Sequence, residues 1–337
     1  MNAHSRLMLG ALAVLAASAT YADAGSNGRG EGKGNSVRAE RGFKDFVLES
    51  PISTAIKRGG STSTSSTVPS WMSPEVGDAW KQGFKGQNVT ITVVDDFTSG
   101  NRISGNLGTG TLYLQHGEWT RLESSMVAPS ATMRTQDFYS GMAVPLNSGL
   151  NVLNLSYAMY AASGYSASQI GWSAQETSII DHAKNGLAVI SKAAGNDAVP
   201  IGGMNKYSNV DYLNLALVGA PSAIFVGALS KNGTTAAPAS MASYSNTAGA
   251  DPVVQKQFLV VGVDTTKTNL AGTSFAAPII SGYSAILGSK FTTATPTQIA
   301  NQLLNTARQD TVRNYNASTY GRGEASITRA LAPVAIR

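Results

Sequence analysis

The chain has 337 residues, enough for one large domain with a well-buried core or for two smaller ones. Hydrophobic residues make up 42% and charged residues 13%, which excludes a disordered polyelectrolyte. The net charge is +5, and residues 25–70 hold seven Lys/Arg against four Asp/Glu, but no basic cluster follows a helix, so nucleic acid is not expected as a partner. The absence of cysteine removes thiol catalysis and Cys-ligated zinc.

In chain order, Arg6 precedes an apolar run, Leu7 to Ala17, which is followed by Ala22-Asp23-Ala24. This pattern predicts a secretory signal over residues 1–24, cleaved after Ala24. The apolar run is too short to span a bilayer and no later stretch is longer, so no stable membrane insertion is expected. The expected location is extracellular, with the periplasm as the alternative. Residues 25–70 are rich in glycine, serine and charge and read as an unstructured flexible linker or a short pro-segment. Their glycines follow no strand and open no helix, which argues against a phosphate loop.

Order is expected from Trp71, in a domain over 71–337. Ser73-Pro74-Glu75 reads as N-cap, first-turn proline and early acid, predicting a helix to about Phe84. Strands are predicted at Val89–Asp95, Leu150–Ser156, Leu187–Lys192, Ala223–Leu229 and Phe258–Val263. Helices are predicted at Ala167–Lys184, Ser274–Leu287 and Pro296–Ala307. Apolar strands alternating with helices predict an α/β domain with a mainly parallel sheet flanked by helices in three layers.

Histidine is scarce: His4, His116 and His182 are all there are. His4 lies in the signal, and His182 is expected on a solvated helix face. His116, after the extended Thr111–Gln115, can be aimed at a cleft, though a structural histidine fits as well. The string Gly272-Thr273-Ser274-Phe275-Ala276-Ala277-Pro278 carries more. It places a serine hydroxyl at a helix N-terminus, where backbone N–H groups and the helix dipole favour a developing anion. An N-cap serine is the ordinary alternative.

That string resembles the serine motif of the subtilisin-like peptidases (subtilases). Other segments agree with the family in order: Val93-Val94-Asp95, His116-Gly117, Val127-Ala128-Pro129, Val152–Ser156, Ala193-Ala194-Gly195-Asn196, Tyr244-Ser245-Asn246 and Tyr320-Gly321-Arg322-Gly323. Together they cover roughly 71–331. The resemblance implies a serine endopeptidase with Asp95, His116 and Ser274 as a catalytic triad. It implies Asn196 in the oxyanion hole, and Ser156, Tyr157, Ala158, Ala193, Ala194 and Gly195 against the substrate. Substrates would be proteins or peptides. The chemistry requires no cofactor, and the acidic residues show no EF-hand spacing, which leaves structural calcium and the oligomeric state open.

The chain departs from the family pattern in places. Asp96 follows Asp95, so two carboxylates compete for His116; strand alternation allows only one, and the family register selects Asp95. Glu118 and Trp119 follow His116 and are expected to put bulk beside it. Tyr157-Ala158 stands where a Leu-Gly pair is usual, which puts the specificity pocket in doubt. Gly-Xaa-Ser-Xaa-Gly and His-Glu-Xaa-Xaa-His are both missing, which excludes a typical esterase and the commonest zinc peptidases. The remaining alternative is a surface or binding protein built on a decayed subtilase fold.

Overall fold

Val89–Asp95 and Ala223–Leu229 are buried at every residue, which is why they read as unbroken runs and not as alternating ones. The computed structural model describes residues 37–42 and 68–336. The strands are β1 (Glu40–Gly42), β2 (Val89–Asp95), β3 (Ile103–Gly105), β4 (Leu112–Leu114), β5 (Thr132–Asp137), β6 (Leu150–Leu155), β7 (Ala158–Ala162), β8 (Val189–Ala193), β9 (Asn209–Asp211), β10 (Ala223–Leu229) and β11 (Phe258–Gly262). The helices are α1 (Pro74–Lys81), α2 (His116–Val127), α3 (Ala174–Lys184), α4 (Tyr212–Leu217), α5 (Pro252–Gln257), α6 (Thr265–Thr268), α7 (Ala277–Lys290), α8 (Pro296–Thr306), α9 (Ala317–Tyr320) and α10 (Ile327–Leu331).

Six strands form one sheet in the order β11-β10-β8-β6-β2-β5, every pair parallel. Alternate side chains of each strand enter opposite cores. Ile91, Val93, Val152 and Val226 pack with Ile280 and Ile286 of α7 on one face. Val94, Leu153, Leu155 and Phe225 pack with Ile179 of α3 and Leu213 of α4 on the other. The result is the expected three-layer α/β arrangement. Helix α7 is buried from Ala277 to Ser289, as expected of a helix that is apolar all round. Gly282 and Gly288 allow its close approach: a Cβ at these positions would lie 2.4 Å from Val127 and 2.3 Å from Leu150.

Several boundaries moved. Helix α1 ends at Lys81, before the turn at Gly83 with φ 91°, and Ser73 caps it by accepting from the Glu75 N–H. The helix expected from Ala167 is two pieces: a 3-10 turn, Ala167–Gln169, then α3, capped by Ser173. Ser274 lies not in α7 but on a 3-10 turn, Thr273–Phe275, that leads into it. His116 is the first residue of α2 and not the end of a strand. His182 is half-buried, with Nε2 2.9 Å from the Val144 carbonyl, so it is not on a solvated face.

The signal over residues 1–24 lies outside the described residues. Of the stretch 25–70, the part at 37–42 has structure, contrary to the expectation of none. Val37 bridges to Ile170, Ala39 is buried, and β1 pairs antiparallel with β7 in a small sheet ordered β1-β7-β9. Composition hid this strand because its partner lies more than a hundred residues away. Among the described residues no helix is long and apolar enough to cross a membrane.

Candidate functional site

Strands β2, β6 and β8 are adjacent and parallel, so their carboxyl ends open on one edge of the sheet. Asp95 ends β2. Ser156 follows β6, two residues before β7 begins. Asn196 follows β8. The 3-10 turn carrying Ser274 is held over this edge by α7. That helix is pinned by side-chain bonds to its carbonyls, from Ser124 to Pro278 at 3.3 Å and from Ser191 to Ala277 at 2.7 Å.

On the acid–base side, Asp95 Oδ1 lies 2.5 Å from His116 Nδ1, and both side chains are buried. Asp95 Oδ2 accepts the Thr120 hydroxyl at 2.9 Å, one turn along α2, and Oδ1 accepts the Asp96 N–H at 2.7 Å. The carboxylate is thus held at both oxygens. Asp96 turns away: it accepts the Thr98 and Ser99 N–H groups and the Ser99 hydroxyl. The two neighbouring carboxylates part as strand alternation requires, and it is Asp95 that reaches the imidazole. The His116 ring lies 5.7 Å, centroid to centroid, from Phe275, the residue after Ser274.

On the serine side, the Ser274 hydroxyl donates to the Ser156 carbonyl at 3.1 Å, and the Ser156 hydroxyl donates to the Ser274 carbonyl at 2.9 Å. The Asn154 amide donates to the Ser156 hydroxyl at 3.0 Å. Asn196 Oδ1 accepts the Thr273 N–H at 2.8 Å and the Thr273 hydroxyl at 2.9 Å, which fixes the plane of its amide. The Thr273 hydroxyl also accepts the Gly195 N–H at 3.0 Å. Gly195 has φ 113°, and a Cβ there would lie 2.4 Å from Asn246 Nδ2. Asn246 binds the same segment through the Ala194 carbonyl and the Gly195 carbonyl.

A cleft beside these groups is lined by Ser156, Tyr157, Ala158, Ala193, Gly195, Asn196 and Ser274, all expected, and by Gly42, Tyr160, Lys192 and Thr273, which were not. Ala194 does not line it; it is fully buried and its carbonyl accepts the Asn214 and Asn246 amides. Glu118 and Trp119 are also outside the lining, as are Asp95 and His116. Trp119 is buried with its indole N–H on the Ile103 carbonyl, and Glu118 accepts the Gln115 N–H at the start of α2. Lys192 is fully buried, 3.0 Å from Asp211. Burial pulls its ammonium pKa down, against the pull of the Asp211 carboxylate. Thr273 and Asn246 had a sequence signal, since each lies in a quoted motif. Gly42 and Lys192 had none.

A histidine oriented by a buried carboxylate suits proton transfer, and a serine on a helix-leading turn with a clamped asparagine amide suits the binding of an oxyanion; Phe275, next to Ser274, lies against the imidazole ring. The model of the subtilase family matches residues 120–323, about three fifths of the chain. The match takes in Ser156, Asn196 and Ser274 and begins after Asp95 and His116. No curated protein matches the chain. The structure resembles fervidolysin from Fervidobacterium pennivorans, a keratinolytic enzyme related to subtilisin, with TM-score 0.53 and 19% identity over 88% of this chain and 51% of that one. It also resembles a lanthipeptide protease, with TM-score 0.52 and 16% identity over 77% of this chain and 93% of that one. At such identities the likeness is one of fold. The family match covers well over half of the sequence, and the chain belongs to the subtilase family of serine-type peptidases.

Proposed function

We propose that the protein is a secreted serine endopeptidase in which Asp95, His116 and Ser274 form the triad and Asn196 supplies an oxyanion donor. The observation that carries this reading is the buried Asp95–His116 pair set beside the turn that holds Ser274. In the structure the Ser274 hydroxyl rests on the Ser156 carbonyl. The reaction requires that the hydroxyl leave that acceptor for the imidazole. A peptide would bind as a strand against β7, in the place that β1 takes in the structure.

Ser274 Oγ then attacks the scissile carbonyl while His116 Nε2 takes its proton. Asp95 keeps Nδ1 protonated and stabilises the imidazolium. The oxyanion is held by the Asn196 amide and the Ser274 N–H. His116 returns the proton to the leaving amine, which departs and leaves an acyl-enzyme. Water activated by His116 releases the acid.

A fluorophosphonate probe tests the proposal. Labelling of the parent that is lost in Ser274→Ala, together with cleavage of peptides lost in the same variant, is the expected result. No labelling and no cleavage would favour a binding protein on the same fold. Secretion is supported by the sequence of residues 1–24; a mature N-terminus at Gly25, read by mass spectrometry from exported protein, is the expected outcome.

A further inference from the structure

We propose that Glu176 determines specificity by selecting an arginine side chain of the substrate, in the position that Arg41 of this chain takes in the structure. The inference rests on the peptidase reading of the cleft. It begins from the placement of β1. Glu40, Arg41 and Gly42 lie opposite Tyr160, Met159 and Ala158, antiparallel to β7, the strand expected to receive substrate. Gly42 lines the same cleft as Ser156 and Ser274. The segment therefore occupies the place that a bound peptide would take.

Within that segment one side chain makes a specific contact. The Arg41 guanidinium reaches Glu176 with Nη2 at 2.9 Å and 3.0 Å from the two carboxylate oxygens and Nε at 3.2 Å from one of them. The Glu176 side chain is fully buried, and that of Arg41 is 15% exposed. The carboxylate is built into the protein independently of Arg41. It sits in the first turn of α3, where the helix dipole favours an anion, and it accepts the hydroxyls of Ser173 and, at 3.4 Å, Tyr157. Two hydroxyls do not neutralise a buried charge, and a cation beside it offsets the desolvation cost. The forked contact to both carboxylate oxygens suits a guanidinium better than an ammonium.

The pairing register fixes where this arginine would stand in a substrate. A peptide in the register of β1 places an arginine opposite Met159 and the residue three positions later opposite Ser156. The Ser156 carbonyl receives the Ser274 hydroxyl, so that later residue presents its carbonyl to the nucleophile. The selected arginine is thus the fourth residue before the cleaved bond.

The test uses the full chain and three peptides identical except at that fourth position, which carries arginine, lysine or glutamine. Hydrolysis is measured as kcat/KM, and binding to Ser274→Ala is measured by fluorescence anisotropy. A preference for arginine over glutamine on the order of 10–100-fold is expected in both, with lysine between, since charge-assisted forked bonds are lost. The preference should shrink to within about threefold in Glu176→Gln, checked for folding by thermal melting. Arg41→Ala should keep their ranking, because Ser173, Tyr157 and the first turn of α3 hold the carboxylate without it. Equal binding of the arginine and glutamine peptides to Ser274→Ala overturns the proposal without any variant at Glu176. A binding preference without hydrolysis of any peptide would uphold the subsite and sink the peptidase reading.

Discussion

The two banks of the cleft reach their geometry by different means. The serine bank, from β6 and β8 to α7, is held through the backbone: Thr273, Asn196, Gly195, Asn246 and Ser156 are tied by bonds in which at least one partner is nearly always a main-chain group. The acid–base bank, β2 and α2, is held through side chains, with Asp95 gripped by His116 and Thr120. Backbone-held geometry needs particular residues at particular positions, because a glycine at φ 113° or a threonine that bridges two segments has few substitutes. Side-chain geometry needs only that the right groups converge. This is why the serine bank is dense in recognisable strings, and why the other could depart from the usual sequence around Asp96 and Glu118 and still bring Asp95 to His116.

The comparison can be broken from either bank. The largest effect is expected on the side-chain bank. Asp95→Asn should lower kcat by roughly 10⁴-fold, because the amide no longer fixes the protonated Nδ1 tautomer. Asp96→Asn, whose carboxylate faces Thr98 and Ser99, should cost less than about tenfold in steady-state turnover. The reverse ranking would reassign the carboxylate. On the backbone-held bank, Asn196→Ala should keep a near-parental melting temperature and lose about 10²–10³ in kcat, the cost of one oxyanion donor. Parental turnover would remove Asn196 from the site.

Gly195→Ala sharpens the contrast, since it adds one methyl group without removing any donor. The positive φ and the 2.4 Å approach to Asn246 should cost about 1–3 kcal/mol of stability in denaturant unfolding, with turnover falling as Asn196 is displaced. An unchanged midpoint would show that this bank is more pliable than its bonds imply.

The smallest effect concerns Glu123, buried in α2 on the His116 side, with no hydrogen bond to its Oε2 among the described residues. Burial pushes its carboxyl pKa well above the ordinary value of 4.5. A group that holds its proton more tightly when folded makes stability fall as pH rises above the unfolded value. Glu123→Gln should therefore match the parent near pH 4 and exceed it by about 1–2 kcal/mol near pH 8, in melts across that range. A constant difference would mean that the carboxyl is not the titrating group.

Much of this was legible along the chain, for reasons that differ by element. Strands β2 and β10 fall where their apolar runs predict, because burial on both faces demands apolar residues at every position. The string from Gly272 to Pro278 marked Ser274, although the hydroxyl lies on a 3-10 turn and not in the helix proper. Alternation along a strand allowed only one of Asp95 and Asp96 to face the imidazole, and the family register selected Asp95.

What lay beyond the sequence depends on segments distant from one another. The sequence determined the parallel α/β core, since burial on both faces leaves its mark at every position of a strand, and the resemblance carried by its motifs marked Asp95, His116 and Ser274 as candidates. Only the tertiary structure decided that residues 40–42 join β7, that Lys192 meets Asp211 and that Arg41 meets Glu176, 135 positions away. Pairings of that kind leave no local periodicity. They are fixed by which surfaces the packed layers bring together, and each buried charge then takes the partner that the fold has placed within reach.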